Sequence, residues 1–166
     1  MEKIILVDSG DKVVGFDEKI NIHRTGKLHR AFSILIFNNK GELLIQKRAK
    51  NKYHSGGLWT NSCCSHQRIG ENIESSAYKR LKEELGFEAK LKQIFRFHYN
   101  TKFSNGLIEN EIDYIFVGKY DGEVKPNKEE IEDYKWISLN ELKKSVKRNP
   151  NRYTYWFKLI LKIMQN

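Results

Sequence analysis

Cysteine, proline and long apolar runs are all scarce in these 166 residues. The two cysteines, Cys63 and Cys64, are neighbours. Adjacent cysteines rarely form a useful disulfide, and neither has another partner. A disulfide-built secreted scaffold is therefore excluded, and a reducing, cytoplasmic setting is expected. With only Pro126 and Pro150 present, no Pro-rich linker divides the chain. No internal repeat or low-complexity block divides it either, so a single domain over residues 1–166 is expected. The longest apolar run lies within Ala31–Phe37, far short of the roughly 20 residues of a membrane-spanning helix. The opening Met-Glu-Lys-Ile-Ile-Leu has no long apolar region and no small-residue cleavage site, so no signal peptide is read. What is present is apolar area: 39% hydrophobic and 12% aromatic residues, enough to build one core and to exclude a disordered chain.

Acidic charge is the minority sign. Lys and Arg number 30 against 21 Asp and Glu, a net of +9. That balance favours anionic partners. Nucleic acids are one such class and small phosphorylated substrates another, and composition does not choose between them.

Periodicity places the elements of one α+β or α/β unit. Lys3–Val7 and Lys12–Gly15 read as strands about a Ser9-Gly10-Asp11 turn. Ala31–Phe37 is apolar on both faces, as a buried strand is. Asn38-Asn39-Lys40-Gly41 reads as a hairpin turn, returning Glu42–Lys47 as the partner strand. Leu58–Cys63 is a short extended candidate. Over Asn72–Leu85, Ile73, Ala77, Leu81 and Leu85 recur every four residues and Gly86 follows, the pattern of a helix with a left-handed cap. Strands resume near Gln93–Tyr99, Leu107–Lys119 and Tyr134–Ile137. Glu141–Lys147 reads as a short basic helix. Arg152–Met164 carries an amphipathic stripe through Tyr153, Trp156, Phe157, Ile160, Leu161 and Met164.

On the Asn72–Leu85 helix, Glu84 falls on the apolar stripe, with Arg80 one turn before it and Glu83 pointing to solvent. A carboxylate on a buried face needs a cation. A structural Arg80–Glu84 pair and a metal site both satisfy that. On Leu107–Lys119, Glu109, Glu111 and Asp113 alternate, so all three project from one face. A solvent-exposed face is the default explanation. A divalent cation would also relieve the repulsion between like charges. The five histidines, His23, His29, His54, His66 and His98, could join such carboxylates around zinc, manganese or iron. Their spacings form no zinc-finger pattern. His54 and His98 are read as surface or structural residues. Asp113 is expected to pair with a nearby base.

Three segments together are specific: Leu28-His29-Arg30-Ala31-Phe32-Ser33, Leu58-Trp59-Thr60-Asn61-Ser62-Cys63-Cys64-Ser65-His66, and Glu109-Asn110-Glu111. They resemble the type 1 isopentenyl-diphosphate isomerases, a family of the Nudix fold, in order from about Lys19 to Trp156. The resemblance implies an α+β architecture, an α/β/α sandwich with a mixed sheet flanked by helices. Against the general Nudix box, Ser65 stands at the glycine and Glu71 at the first glutamate. Arg80 stands where hydrolases keep a metal-binding glutamate. That replacement argues against diphosphate hydrolysis, which requires metal to polarise phosphate and water. The segment before His23 is compact relative to the family.

The family's roles carry over as implications. His23, His29, His66, Glu109 and Glu111 would hold one divalent metal (Zn²⁺, Mn²⁺ or Mg²⁺). Glu84 would hold a Mg²⁺ bridging to the substrate diphosphate, which Lys19, Arg48, Lys52 and Arg80 would contact. Cys64 and Glu111 would transfer protons, with Tyr99 beside Glu111. Trp156 would lie against the hydrocarbon, although its place on an apolar stripe also suits a core residue. In an extended segment neighbouring side chains point oppositely. Only one of Cys63 and Cys64 can then face a substrate, and Cys64 shares its face with His66. The implied partner is a small diphosphate; no nucleic-acid, membrane or obligate protein partner is expected. Two rivals stand beside this reading. A Nudix hydrolase of nucleoside diphosphate derivatives could use Glu71, Glu83 and Glu84. A nucleic-acid-binding domain would explain the +9 charge, but the sequence carries no such motif.

Overall fold

The structure, a computed structural model, describes residues 1–165. Nine strands and four helices succeed one another. They are β1 (Lys3–Val7), β2 (Val13–Glu18), α1 (Lys19–Thr25), β3 (His29–Phe37), β4 (Leu43–Arg48), β5 (Trp59–Thr60) and β6 (Cys63–His66), followed by α2 (Ile73–Leu85), β7 (Lys92–Lys102), β8 (Ile108–Lys119), β9 (Ile131–Ile137), α3 (Leu139–Arg148) and α4 (Tyr155–Met164).

The central strand is β3, as its two apolar faces require. It runs parallel to β8 from His29↔Glu111 to Phe37↔Lys119 and antiparallel to β6 from Ala31↔His66 to Ile34↔Cys63. β7 pairs with the outer edge of β8. The sheet is therefore mixed. Alternation divides the core in two. Phe32, Ile34 and Ile36 of β3 and Ile112, Tyr114 and Phe116 of β8 pack with Ala77, Leu81 and Leu85 of α2. On the opposite face Leu35, Ile115 and Ile45 pack with Trp156, Phe157, Ile160 and Leu161 of α4 and Leu142 of α3. This is the expected α/β/α layering.

The expected β3–β4 hairpin is corrected. The turn forms, with Gly41 at φ 74°, yet the strands pair only at Phe37↔Leu43. Beyond that point β4 diverges to pair with β9 and β5. The polar segment Asn61-Ser62 occupies the gap. Ser62 Oγ accepts from Ile36 N (2.8 Å) and donates to Leu44 O (2.6 Å). Asn61 Nδ2 and Ser62 N both donate to Ile34 O. Gln46 Nε2 donates to Ser62 O at 2.7 Å. Buried strand amides and carbonyls require partners, and here side chains supply some of them.

The remaining elements differ from the sequence reading at their ends. α2 begins after Asn72, whose side chain accepts from Ser75 N, and ends at Gly86 with φ 75°. A Cβ at Gly86 would lie 2.7 Å from Lys125 O. The extended candidate Leu58–Cys63 divides into β5 and β6. α4 begins at Tyr155, after a short turn at Pro150–Arg152. One helix escaped the sequence reading: α1. It has 7 residues, buries Ile22 and His23, and ends on Gly26 at φ 70°.

The β1–β2 hairpin is fastened to this frame. Ile5 N donates to Gln67 O and Val7 N to Leu28 O. Asp11, at φ 63°, accepts from Arg30 Nε (2.6 Å) and Arg96 Nη1 (2.5 Å) and from the Tyr114 hydroxyl.

Candidate active site

Three strands and α1 bring five metal-ligating side chains together. The parallel register sets His29 beside Glu111, and His66 comes from β6 on the other edge of β3. Glu109 lies two residues before Glu111 on the same face of β8. His23 enters from α1. One potential ligand atom from each of these residues lies within 4.8 Å of all the others, and all five residues are buried. His29 Nε2 and His66 Nε2 lie 3.2 and 3.0 Å from Glu111 Oε1. His23 Nε2 lies 3.3 Å from Glu109 Oε1.

The donor chemistry of this group fits a cation. His23 Nδ1 donates to Lys19 O (2.6 Å) and His29 Nδ1 to Lys27 O (2.9 Å). These backbone bonds fix the tautomers and turn both Nε2 lone pairs inward, the orienting arrangement of metal-bound histidine. Lone pairs then face carboxylate oxygens with nothing positive between them. His23 Nε2 and Glu109 Oε2 are buried without a hydrogen-bond partner. A divalent ion satisfies both. The acidic face of β8 is accordingly not a solvent-exposed one.

Beside this group lies a small cavity of about 30 Å³, lined by Cys64, Glu111, Tyr99, Arg48, His54 and Trp156 among others. Cys63 points the other way into the α2 core. Tyr99 donates its hydroxyl to Glu111 Oε2 at 2.7 Å. Burial pushes the Cys64 thiol up to about 12, against the pull of nearby Arg48. The thiol therefore holds its proton at neutral pH. Burial and the Glu111 carboxylate also raise the Tyr99 hydroxyl well above its usual range. Trp156 is both core and lining. Its Nε1 donates to Asn61 Oδ1 (3.3 Å), and Arg48 lies 5.3 Å from its ring centre.

A second, cationic neighbourhood adjoins the first. Lys19 Nζ is 3.2 Å from Glu2 and 4.7 Å from the Tyr53 ring centre. Lys52 pairs with Glu130. Arg80 bonds to Glu84, lies 2.7 Å from Glu83 and reaches Glu130 at 3.6 Å. Burial, and then the positive charges of Lys52 and Arg80 against the counter-pull of Glu2, lower the Lys19 ammonium. Arg48 Nε and Arg80 Nε are buried and unpartnered. Glu84 also accepts from Gln46 Nε2 at 3.1 Å. The other two box carboxylates are committed elsewhere. Glu71 holds Lys79 and Ser76 at 2.6 Å, and Glu83 holds Arg68.

One expectation is corrected, and one pair of alternatives is decided. Asp113 has no base beside it. Its Oδ2 accepts from Ser33 Oγ at 2.8 Å and its Oδ1 is unpartnered. Burial and the neighbouring Glu111 and Glu109 charges push its carboxyl well above the usual range. His54 is no surface residue: it is 4% exposed. Its Nε2 bonds to Glu109 Oε1, and its ring stacks on Phe103 with centres 4.4 Å apart. Tyr53 and Glu130 were also missed. The one available signal was that Tyr53 and His54 directly follow Lys52. His98 is exposed, as read, bonded to Asn110.

Residues 27–157 match the NUDIX domain family. Isopentenyl-diphosphate Delta-isomerase 2 of Photorhabdus laumondii is 50% identical over 160 residues, covering 96% of this chain and 90% of that protein. The isopentenyl-diphosphate Delta-isomerase of Serratia proteamaculans is 47% identical over 161 residues, covering 97% and 90%. The chain belongs to this NUDIX family of isopentenyl-diphosphate isomerases. A solved Deinococcus radiodurans structure shares the fold at TM-score 0.74 and 19% identity, covering 89% of this chain and 90% of that one. Within the family frame, the buried His/Glu group is of the kind that binds a metal. Among the described residues no helix is long and apolar enough to cross a membrane.

Proposed function

We propose that this protein, acting as a single cytoplasmic domain, interconverts isopentenyl diphosphate and dimethylallyl diphosphate by protonation and deprotonation through a tertiary carbocation. The observation that carries the mechanism is the shared cavity of Cys64 and Glu111, with the thiol held protonated. One of the two gives a proton to the double bond, leaving the positive charge on the tertiary carbon. The other removes a proton from the neighbouring carbon and forms the new double bond. Their roles exchange with the direction of reaction. Tyr99 holds the Glu111 carboxylate by its hydroxyl and keeps one oxygen aimed. The Trp156 face stabilises the developing cation, by about 0.5–2 kcal/mol when desolvated. Burial of the site excludes water, which would otherwise capture the carbocation.

His23, His29, His66, Glu109 and Glu111 would hold one divalent cation, whose charge would lower the proton affinity of the Glu111 carboxylate. Lys19, Arg48, Lys52 and Arg80 would hold the diphosphate, and Glu84 would be the carboxylate to hold a Mg²⁺, which would offset part of the diphosphate charge. Arginine forks and lysine ammoniums bind phosphate oxygens through charge-assisted hydrogen bonds.

The test is proton NMR of purified protein with isopentenyl diphosphate and Mg²⁺ in D₂O. Dimethylallyl diphosphate with deuterium incorporated, and no free phosphate, is the expected outcome. Metal-loaded protein that releases phosphate, or leaves the substrate unchanged, would sink the proposal.

A further inference from the structure

Glu130 stands at the centre of the cationic neighbourhood, yet nothing in the proton-transfer scheme uses it. It lies in the turn before β9. Its backbone is anchored: Glu130 O accepts from Ala49 N and Glu130 N donates to Asn127 O, both at 3.0 Å. Its side chain is anchored only by charge. Oε2 takes Lys52 Nζ, and Oε1 lies 3.6 Å from Arg80 Nη2. Against the desolvation that burial brings, Lys52, Arg80 and Lys19 together hold the carboxyl below its usual range. Two oxygens on one small anion thus bridge two cations, as the oxygens of a diphosphate would. The side chain is 26% exposed, so water is within reach of a changed rotamer.

Charge balance favours the same conclusion. Lys19, Lys52 and Arg80 are matched by the carboxylates of Glu2, Glu130 and Glu84. A diphosphate arriving with one divalent cation adds about one net negative charge. Glu2 and Glu84 are tied further by Arg68 and Gln46 respectively. Among the described residues, the Glu130 side chain makes no hydrogen bond or ion pair beyond those to the two cations that a diphosphate would take, and it is the carboxylate able to leave.

We infer that the Glu130 carboxylate is an internal stand-in for the substrate's diphosphate: it pairs with Lys52 and Arg80 in the empty cleft and swings to solvent when a diphosphate binds. This inference rests on the proposed diphosphate role of Lys52 and Arg80. In the empty protein Glu130 keeps the cations from repelling one another, and each binding event must displace it. Each release of product is in turn assisted by its return.

The experiment is calorimetric titration of inorganic pyrophosphate, with Mg²⁺, into the full-length wild type, Glu130→Gln, Glu130→Asp and Lys52→Ala. Removing a competing anion is expected to tighten pyrophosphate binding roughly three- to tenfold in Glu130→Gln. The shortened Glu130→Asp should fall between it and wild type. Lys52→Ala should bind more weakly than wild type. In turnover, Glu130→Gln should lower KM and kcat together, because product leaves more slowly. Weaker or unchanged binding in both Glu130 variants, with Lys52→Ala weakened, overturns the stand-in and leaves the diphosphate site intact. Pyrophosphate binding that Lys52→Ala does not alter, or no binding by wild type, overturns the site reading and the stand-in with it.

Discussion

Cys64 carries a proton that the solvent cannot easily take, and two consequences follow at the scale of the single residue. With the thiol raised from 9.0 to about 12, its thiolate fraction at pH 8 is roughly a thousandfold below that of a free cysteine. Alkylation by iodoacetamide, followed by mass spectrometry, should therefore be slow at pH 8 and accelerate with each unit of pH above it. Fast labelling at neutral pH would show the thiol to be ionised. Cys64→Ala should keep its fold and its metal, measured by elemental analysis, yet lose roughly 10²–10⁴-fold or more in turnover. Full activity in that variant would remove the thiol from the mechanism. Which cysteine faces the cavity was legible from strand alternation together with the family resemblance, which makes His66 a site residue. The burial of His54 was not, because it depends on Phe103 and Glu109, which follow it by about fifty residues of chain. A pair of residues that meets only through long-range strand pairing leaves no local mark. Asp113 misled for a related reason: strand alternation fixes the face its side chain takes, not the Ser33 hydroxyl it meets there.

At the scale of the element, the wedge between β3 and β4 is the feature most open to test. Ser62→Ala would leave Ile36 N and Leu44 O without the hydroxyl that serves both. Two buried backbone groups losing a partner should cost about 2–4 kcal/mol, read as a lower urea midpoint at unchanged m-value. Gly86→Ala should also destabilise, by more than about 1 kcal/mol, because φ 75° is strained for alanine and its Cβ would meet Lys125 O. Helix α2 was readable because its apolar repeat, its Asn72 cap and Gly86 agree with one another. Helix α1 was not. Its 7 residues are too few to display a period, and its stability comes from burying Ile22 and His23 rather than from propensity. The β3–β4 pairing went wrong because a hairpin turn reports the reversal of the chain, not whether its arms stay together. What separates them is the Asn61-Ser62 segment, whose polar side chains carry family identity and, as the structure shows, fold architecture too.

For the whole molecule, the five side chains gathered by α1, β3, β6 and β8 would make a bound metal a cross-link between distant parts of the chain. A chelator should lower the thermal midpoint, and re-addition of a divalent ion should restore it, by an amount that grows with the logarithm of free metal. A midpoint indifferent to chelation, with metal loss confirmed, would remove the ion from the stability of the fold. The layering and the mixed sheet were legible at this scale through the family resemblance, because periodicity alone reached no further than one α+β or α/β unit. The meeting of His23 with Glu109 was not, since it needs the orientation of a helix that the sequence hid. The parallel register that sets His29 beside Glu111 also has a kinetic meaning. These residues lie 82 apart along the chain, so the chelating pocket exists only after a slow, long-range strand pairing. Metal should therefore leave the refolding rate almost unchanged and act on the rate of unfolding. The ion would be a late arrival that locks a finished sheet, and resistance to proteolysis over hours would depend on its occupancy more than the speed of folding does.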